Sequence, residues 1–327
     1  MGPIVRERSR VSTADGDLEA LIHYVPSPVP QPGLVLVDGS GDGTADGWGG
    51  AVDLLVSCGT VVLTHDKPGC GASPGDWRTQ SLADRAEESR LAAALLGSHP
   101  AVAGRGCGLY GVSQGGWVAL IASALDARIH FVISNSGPGV SPAFQDRFRI
   151  LNDLRQDGHD EPALSEAGRW LDDRADRLLS GQAPGDVLTR QEGFRNRSWY
   201  DVTTRYFDTV EMLGFLARVL DFDPAVILPN VQCPVLALLG GADALVPVPE
   251  SLAAFSSLLP PLPGNPHGIA VFPGAGHGLF VAAPDPSIDR ASQLAPGFVP
   301  MVEAFIHRNA SAMGTEISTK SSTDPSG

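Results

Sequence analysis

The sequence predicts an α/β protein: a mostly parallel central sheet with helices on both faces and one inserted helical lid. Three observations carry this. Short apolar runs alternate with segments of helical periodicity along most of the chain. The apolar runs end in Gly- and Asp-rich loops. Between about residues 142 and 223 the alternation stops, and an Arg-, Asp- and Glu-rich stretch with little strand character takes its place. Alternating strands and helices imply a parallel sheet covered on both sides. Strands buried on both faces read as continuous apolar runs.

The elements follow in order. Leu18–Val25 reads as an early strand, and the proline-rich Val25–Pro32 as a connector. Leu34–Val37 is a buried strand that ends in Asp38-Gly39-Ser40-Gly41. Val52–Val56 fits a short helix, and Thr60–Thr64 a second buried strand stopped by His65-Asp66-Lys67-Pro68-Gly69. Ser81–Leu96 has apolar residues at helical spacing, Leu82, Ala86, Leu91 and Leu95, with acids early. Gly108–Gly111 is a strand, Gln114–Leu125 a helix, and Phe131–Ile133 a strand. The helical stretch includes Glu166–Leu179 and Asp201–Leu220 and stops at Pro224. The alternation resumes with a strand over Pro234–Leu239, a helix over Ser251–Leu259, a strand over Ile269–Phe272 and a helix over Ala291–His307.

These changes of texture divide the chain into 1–140 and 225–308, two parts of one core, an inserted lid or cap at 141–224, and a polar, small-residue tail at 309–327 expected to be disordered. An insertion at that point sits above strand ends, where sites form. Net charge is −14, from 23 basic and 37 acidic residues, which argues against nucleic acid and anionic membranes as partners. The only lysines are Lys67 and Lys320. The four cysteines, Cys58, Cys70, Cys107 and Cys233, lack metal-ligand spacing and suit a reducing cytoplasm. Arg6, Arg8 and Arg10 precede no apolar run, so no secretory leader is expected. No run approaches the roughly 18 residues of a membrane span.

The strongest motif is Gly111-Val112-Ser113-Gln114-Gly115-Gly116, set between a strand and a helix. Such a turn is tight enough to strain the serine backbone and hold its hydroxyl at the sheet tip. Serine is a weak nucleophile, so it needs a base, and the base needs an orienting acid. Asp243, in Gly240-Gly241-Ala242-Asp243, follows one strand, and His277, in Gly274-Ala275-Gly276-His277-Gly278, follows the next. His65, at another strand end, is the alternative base; His267 precedes the last strand and should lie at the opposite end of the sheet. Asp223, before Pro224, is the alternative acid. Oxyanion donors are expected from the Gln114 N–H and from the glycine-rich loop, at Ser40 or next Gly41. Trp77, Trp117, Trp199, Tyr200, Tyr206, Phe207, Met212 and Phe215 offer apolar surface for a substrate. No phosphate loop, dinucleotide fingerprint or zinc cluster is present, so no cofactor is inferred.

These residues resemble the α/β-hydrolase superfamily, and within it carboxylesterases related to serine aminopeptidases and prolyl oligopeptidases. Five blocks match in order: Asp38–Gly41 with its Asp-Gly-rich continuation, Asp66–Ser73, Gly111–Trp117, Pro234–Pro247 and Gly274–Gly278. Phe222-Asp223-Pro224 is also similar, and the resemblance spans about residues 18–308. It implies an α/β-hydrolase fold and cleavage of a small-molecule acyl substrate, a carboxylic ester, through Ser113, Asp243 and His277. It also implies a structural turn at Asp66–Ser73, with Asp66 tying loop N–H groups. The family usually carries His-Gly where this chain has Asp38-Gly39, and Lys-Arg-Gly where it has Lys67-Pro68-Gly69. Asp38 therefore either holds its loop through backbone N–H groups or serves altered chemistry, such as acyl transfer, cyclisation or lyase action on a biosynthetic intermediate. A non-enzymatic binding protein on the same fold is the third reading.

Overall fold

The computed structural model describes residues 2–264, 266–285 and 287–319. The chain opens with a hairpin of β1 (Val5–Thr13) and β2 (Gly16–Tyr24), closed where Thr13 faces Gly16. Then come β3 (Gln31–Val37), α1 (Gly50–Ser57), β4 (Val61–His65), α2 (Leu82–Gly97), β5 (Val102–Val112), α3 (Gln114–Leu125) and β6 (Ile129–Asn135). The helical insertion follows as α4 (Pro142–Gln156), α5 (Glu161–Leu179), α6 (Pro184–Glu192), α7 (Tyr200–Thr204), α8 (Val210–Leu220) and α9 (Pro224–Ile227). The core resumes with β7 (Val235–Gly240), α10 (Val248–Leu258), β8 (Gly268–Phe272), α11 (Arg290–Gln293) and α12 (Phe298–Thr319).

One sheet has the order β1-β2-β4-β3-β5-β6-β7-β8. β1, β2 and β4 pair antiparallel, and every pair from β4 to β8 is parallel. Alternate residues of each strand feed opposite faces. Val35, Val37, Leu63, Leu109, Val132 and Ala237 join the core under α2 and α3. Leu34, Leu36, Val62, Tyr110, Phe131, Ile133 and Leu238 join the core under α1 and α12. The insertion packs on the first face only, where Leu154, Trp170, Leu213 and Phe215 extend the same cluster.

The structure departs from the sequence reading in four places. Val5–Thr13 is a strand, although only Val5 and Val11 in it are apolar. As an edge strand it needs no buried face, and its charges guard the open edge. The helix expected over Asp201–Leu220 breaks between α7 and α8, where the Thr209 hydroxyl accepts the Met212 N–H at 3.2 Å and starts a new helix. The helix expected over Ala291–His307 breaks at Pro296-Gly297, Gly297 standing at φ 88°. α12 then runs ten residues past Asn309 to Thr319, across part of the expected disordered tail. Ala310, Ala312 and Met313 are good helix formers, and no proline intervenes. Residues 320–327 of that tail lie outside the described residues.

Candidate active site

Ser113 sits between β5 and α3 at φ 54°, ψ −123°. That left-handed backbone costs a non-glycine residue on the order of 1–3 kcal/mol. Close approach by neighbouring chain fixes it there. A Cβ on Gly111 would stand 2.2 Å from the Gly115 carbonyl oxygen, and one on Gly115 would stand 2.1 Å from that of Val37. A Cβ on Gly116 would meet Ser134 Oγ at 2.6 Å. The Ser113 N–H donates to the Asn135 carbonyl at 3.0 Å, and the Gly116 N–H to the Ser113 carbonyl at 2.8 Å. Gln114 is the first residue of α3, where a backbone N–H has no intrahelical acceptor.

Asp243 and His277 meet at the same edge, past the ends of β7 and β8. His277 Nδ1 lies 2.8 Å from Asp243 Oδ2, and the Asp243 side chain is fully buried. Asp243 Oδ1 accepts the N–H groups of Leu245 at 2.8 Å and Val246 at 3.2 Å, which fixes the carboxylate plane. α4 clamps the same loop: Gln145 Nε2 donates to the Leu245 carbonyl at 2.7 Å and Asn152 Nδ2 to that of Ala244 at 3.0 Å. The histidine loop is anchored through Ser136, whose Oγ accepts the Gly278 N–H at 3.0 Å. Ser136 directly follows Asn135, the residue that accepts from Ser113, so one strand end ties both loops.

The Asp38–Gly41 loop passes beside Ser113. A Cβ on Gly39 would lie 3.4 Å from Ser113 Cβ. The loop carbonyls are held from behind by two buried cations. Lys67 Nζ donates to Gly39 O at 2.6 Å and Gly41 O at 2.5 Å. Arg85 Nη2 donates to Asp38 O at 2.7 Å, while Arg85 Nη1 reaches Gly39 O at 3.3 Å and Gln114 Oε1 at 2.8 Å. In a planar trans peptide the C=O and the next N–H point in opposite directions. Drawing Gly39 O onto the cations therefore turns the Ser40 N–H away from them. Among the described residues no loop N–H reaches the Asp38 carboxylate, so Asp38 does not hold the loop as expected; its main-chain carbonyl is held instead. Burial raises the Asp38 carboxyl above its ordinary range against the pull of Lys67 and Arg85. Burial also lowers the Lys67 ammonium to about 7 and raises the Glu88 carboxyl to about 7. Asp66 does tie loops together, its Oδ1 accepting from Ala45 N and its Oδ2 from Ala72 N and Ser73 Oγ.

The chain matches the alpha/beta hydrolase family over residues 34–290. It belongs to that family. No curated protein matches it. Among solved structures it is similar to the Pyrococcus furiosus esterase Pf2001, at 13% identity over 93% of this chain and 91% of that one, with a TM-score of 0.60. It is similar to the alpha/beta hydrolase GrgF from Penicillium sp. sh18, at 19% identity over 94% of this chain and 99% of that one, TM-score 0.59. It is also similar to DcsB, solved in complex with its substrate analogue, at 18% identity over 94% of this chain and all of that one (100%), TM-score 0.60. At such identities the likeness is one of fold.

In this alpha/beta hydrolase a cavity of about 400 Å³ opens between Ser113 and the helical insertion. Ser40, Gly41 and Gln114 line it beside Ser113. Trp77, Trp117, Phe207, Met212, Phe215 and Tyr206 supply much of its wall, with Asp146, Arg149 and Asp153 as a polar end. Trp77 is fixed by donating to Asp42 Oδ1 at 2.8 Å and by standing edge-on to Phe215 at 5.0 Å. Arg149 pairs with both Asp146 and Asp153 and lies over the Tyr206 ring. Asp38, Trp199 and Tyr200 do not line the cavity. Trp199 is 1% exposed, packs on Phe194 and donates to Glu166, so it belongs to the insertion's own core. Tyr200 turns to Arg195.

The alternative residues have structural settings. His65 Nδ1 is 2.8 Å from the Asp66 carbonyl, and burial holds its ring below the usual histidine range. His267 accepts the Val235 N–H beside the start of β7, away from Ser113. The Asp223 side chain caps α9 through the Ala225 N–H. Lys67 and Arg85 are the residues that sequence reasoning missed as parts of the site. Lys67 carried one signal, as the only lysine before the tail. Arg85 looks like any other charged residue of a surface helix. Among the described residues, no group of three or more His, Cys, Asp or Glu side chains is arranged to hold a metal, and no helix is long and apolar enough to cross a membrane.

Proposed function

We propose that this protein is a serine hydrolase that cleaves a carboxylic ester. The observation that carries the reading is the His277–Asp243 pair, 2.8 Å apart with a fully buried acid, at the sheet edge where Ser113 stands in a strained turn. In this reading Ser113 Oγ attacks the ester carbonyl, and His277 takes its proton through Nε2. Asp243 accepts the Nδ1–H, which fixes the tautomer and stabilises the imidazolium. The N–H groups of Gln114 and Ser40 bind the oxyanion, with Gly41 next in line; each such donor is worth roughly 10²–10³ in rate. His277 then protonates the leaving alcohol, and water, activated by the same base, hydrolyses the acyl-enzyme. The insertion serves as a lid, and its aromatic and aliphatic wall favours an apolar group on one side of the ester.

The reading is tested with chromogenic esters of increasing acyl length and a fluorophosphonate probe. Ser113→Ala should lose turnover by roughly 10⁴- to 10⁶-fold and lose labelling altogether. Retention of either would overturn the assignment. Hydrolysis in ¹⁸O-water separates the reading from acyl transfer or cyclisation, because the acid product must carry the label.

A further inference from the structure

Behind the Asp38–Gly41 loop, away from the substrate cavity, Asp38, His65, Lys67, Arg85 and Glu88 surround a void of about 10 Å³. Buried charges of both signs would be expected to pair directly. Here the two cations place their hydrogen bonds on backbone carbonyls and on the Gln114 amide. The pattern is selective. Lys67 holds the carbonyls on either side of Ser40, at Gly39 and Gly41. Arg85 joins Asp38 O and Gly39 O to the side chain of Gln114. Arg85 thus ties the Asp38–Gly41 loop to Gln114, and Ser40 and Gln114 both line the cavity beside Ser113.

The loop cannot hold this shape alone. Ser40 lies between Gly39 and Gly41, the latter at φ 84°, and glycines on both sides make rotation of either peptide cheap. A rotated Gly39–Ser40 peptide would present a carbonyl, not an N–H, to a developing anion. We propose that Lys67 and Arg85 are positioning residues that lock the Gly39–Ser40 peptide beside the Gln114 side chain, so that the Ser40 N–H faces an oxyanion on Ser113. They do so from behind, without touching substrate. A cation on a peptide carbonyl also polarises that peptide and makes its N–H a stronger donor. The proposal rests on the serine-hydrolase reading above.

A pH signature goes with this geometry. Lys67 is faced by Asp38 and Asp42 from the loop after β3, by Arg85 and Glu88 from α2, by Cys70 from its own turn, by His65 from the end of β4, and by the Trp77 ring. With its ammonium lowered to about 7, the charge that strengthens both carbonyl bonds is lost on the alkaline side. The loss should appear as a basic limb in kcat.

The experiment compares wild type, Lys67→Met, Lys67→Gln and the double variant Asp38→Asn/Lys67→Met on one chromogenic ester, and titrates each with a trifluoromethyl ketone, which forms a tetrahedral oxyanion on serine. Lys67→Met should lower kcat by about 100-fold with KM changed less than about threefold, the pattern of an interaction made only in the transition state. Affinity for the ketone should fall by the same factor, and Lys67→Gln, which keeps an N–H donor, should lie between. The double variant relieves the unpaired Asp38 charge, so its melting temperature should recover while kcat does not; it also serves if Lys67→Met fails to fold. Unchanged kcat in a folded Lys67 variant, recovery of kcat together with stability in the double variant, or a loss confined to KM with ketone affinity intact would each overturn the proposal. Labelling that survives Ser113→Ala would instead overturn the serine-hydrolase reading, whatever the Lys67 series shows.

Discussion

On one side of Ser113 the site is held by backbone and by neutral donors. Glycines let strands and turns approach within contact, the Leu245 and Val246 N–H groups grip Asp243, and Gln145 and Asn152 clamp its loop from α4. On the other side, the Asp38–Gly41 loop hangs from two buried cations contributed by the turn after β4 and by α2. The first arrangement grips the Asp243 loop with uncharged donors alone. The second buries four ionisable side chains, His65, Lys67, Arg85 and Glu88, and leaves Asp38 half-buried beside them. Precision at Ser113 comes from close packing; precision at the glycine loop needs charge-assisted hydrogen bonds, which are roughly twice as strong as neutral ones.

Three substitutions test this contrast. The largest effect is expected at the neutral side. Asp243→Asn cannot accept the histidine Nδ1–H and both backbone N–H groups with the same two oxygens, so kcat should fall on the order of 10³- to 10⁴-fold. Thermal denaturation followed alongside should show a fold that persists; wild-type kcat in the variant would break the assignment of Asp243.

The second is on the cation side. The Glu88 carboxyl is raised from 4.5 to about 7, chiefly by burial. The native state therefore keeps its proton where the unfolded chain has lost it. Its stabilising contribution is complete below 4.5 and is lost as pH rises through about 7. Glu88→Gln has no such proton to lose. Urea denaturation should show wild type losing up to about 3 kcal/mol relative to the variant between pH 5 and pH 8. A constant difference across that range would remove the charged region from the contrast.

The smallest effect is expected at the clamp. Asn152→Ala removes one neutral hydrogen bond to the Ala244 carbonyl, and stability should fall by about 1 kcal/mol with no dependence on pH. A pH-dependent loss would mean that the two sides are coupled after all.

Much of the fold was legible because it rests on local signals. The continuous apolar runs of β3, β4, β6 and β7 could be read directly, and the glycine spacing around Ser113 announced a strand-to-helix turn. β1 was not legible, because an edge strand needs no apolar face. The breaks before α8 and before α12 depended on a threonine cap and a Pro-Gly pair inside otherwise helical spacing. The aromatic residues divided in a way that composition could not forecast. Trp117 and Trp199 are both almost wholly buried, yet only Trp117 lines the cavity, because α3 carries it under the insertion while Trp199 packs inside the insertion itself.

The sequence by itself determined which loops come to one end of the sheet. In a parallel sheet with regular crossovers, chain order places the residues after β5, β7 and β8 at one end, so the loops that carry Ser113, Asp243 and His277 could be expected to meet. Tertiary structure decided what supports them. Lys67 and Arg85 come from different segments, 18 residues apart in the chain. They converge on the loop only because α2 packs against the sheet face behind it. A hydrogen bond between a side chain and a distant carbonyl leaves no periodicity and no motif in sequence; it exists only once the helix has docked.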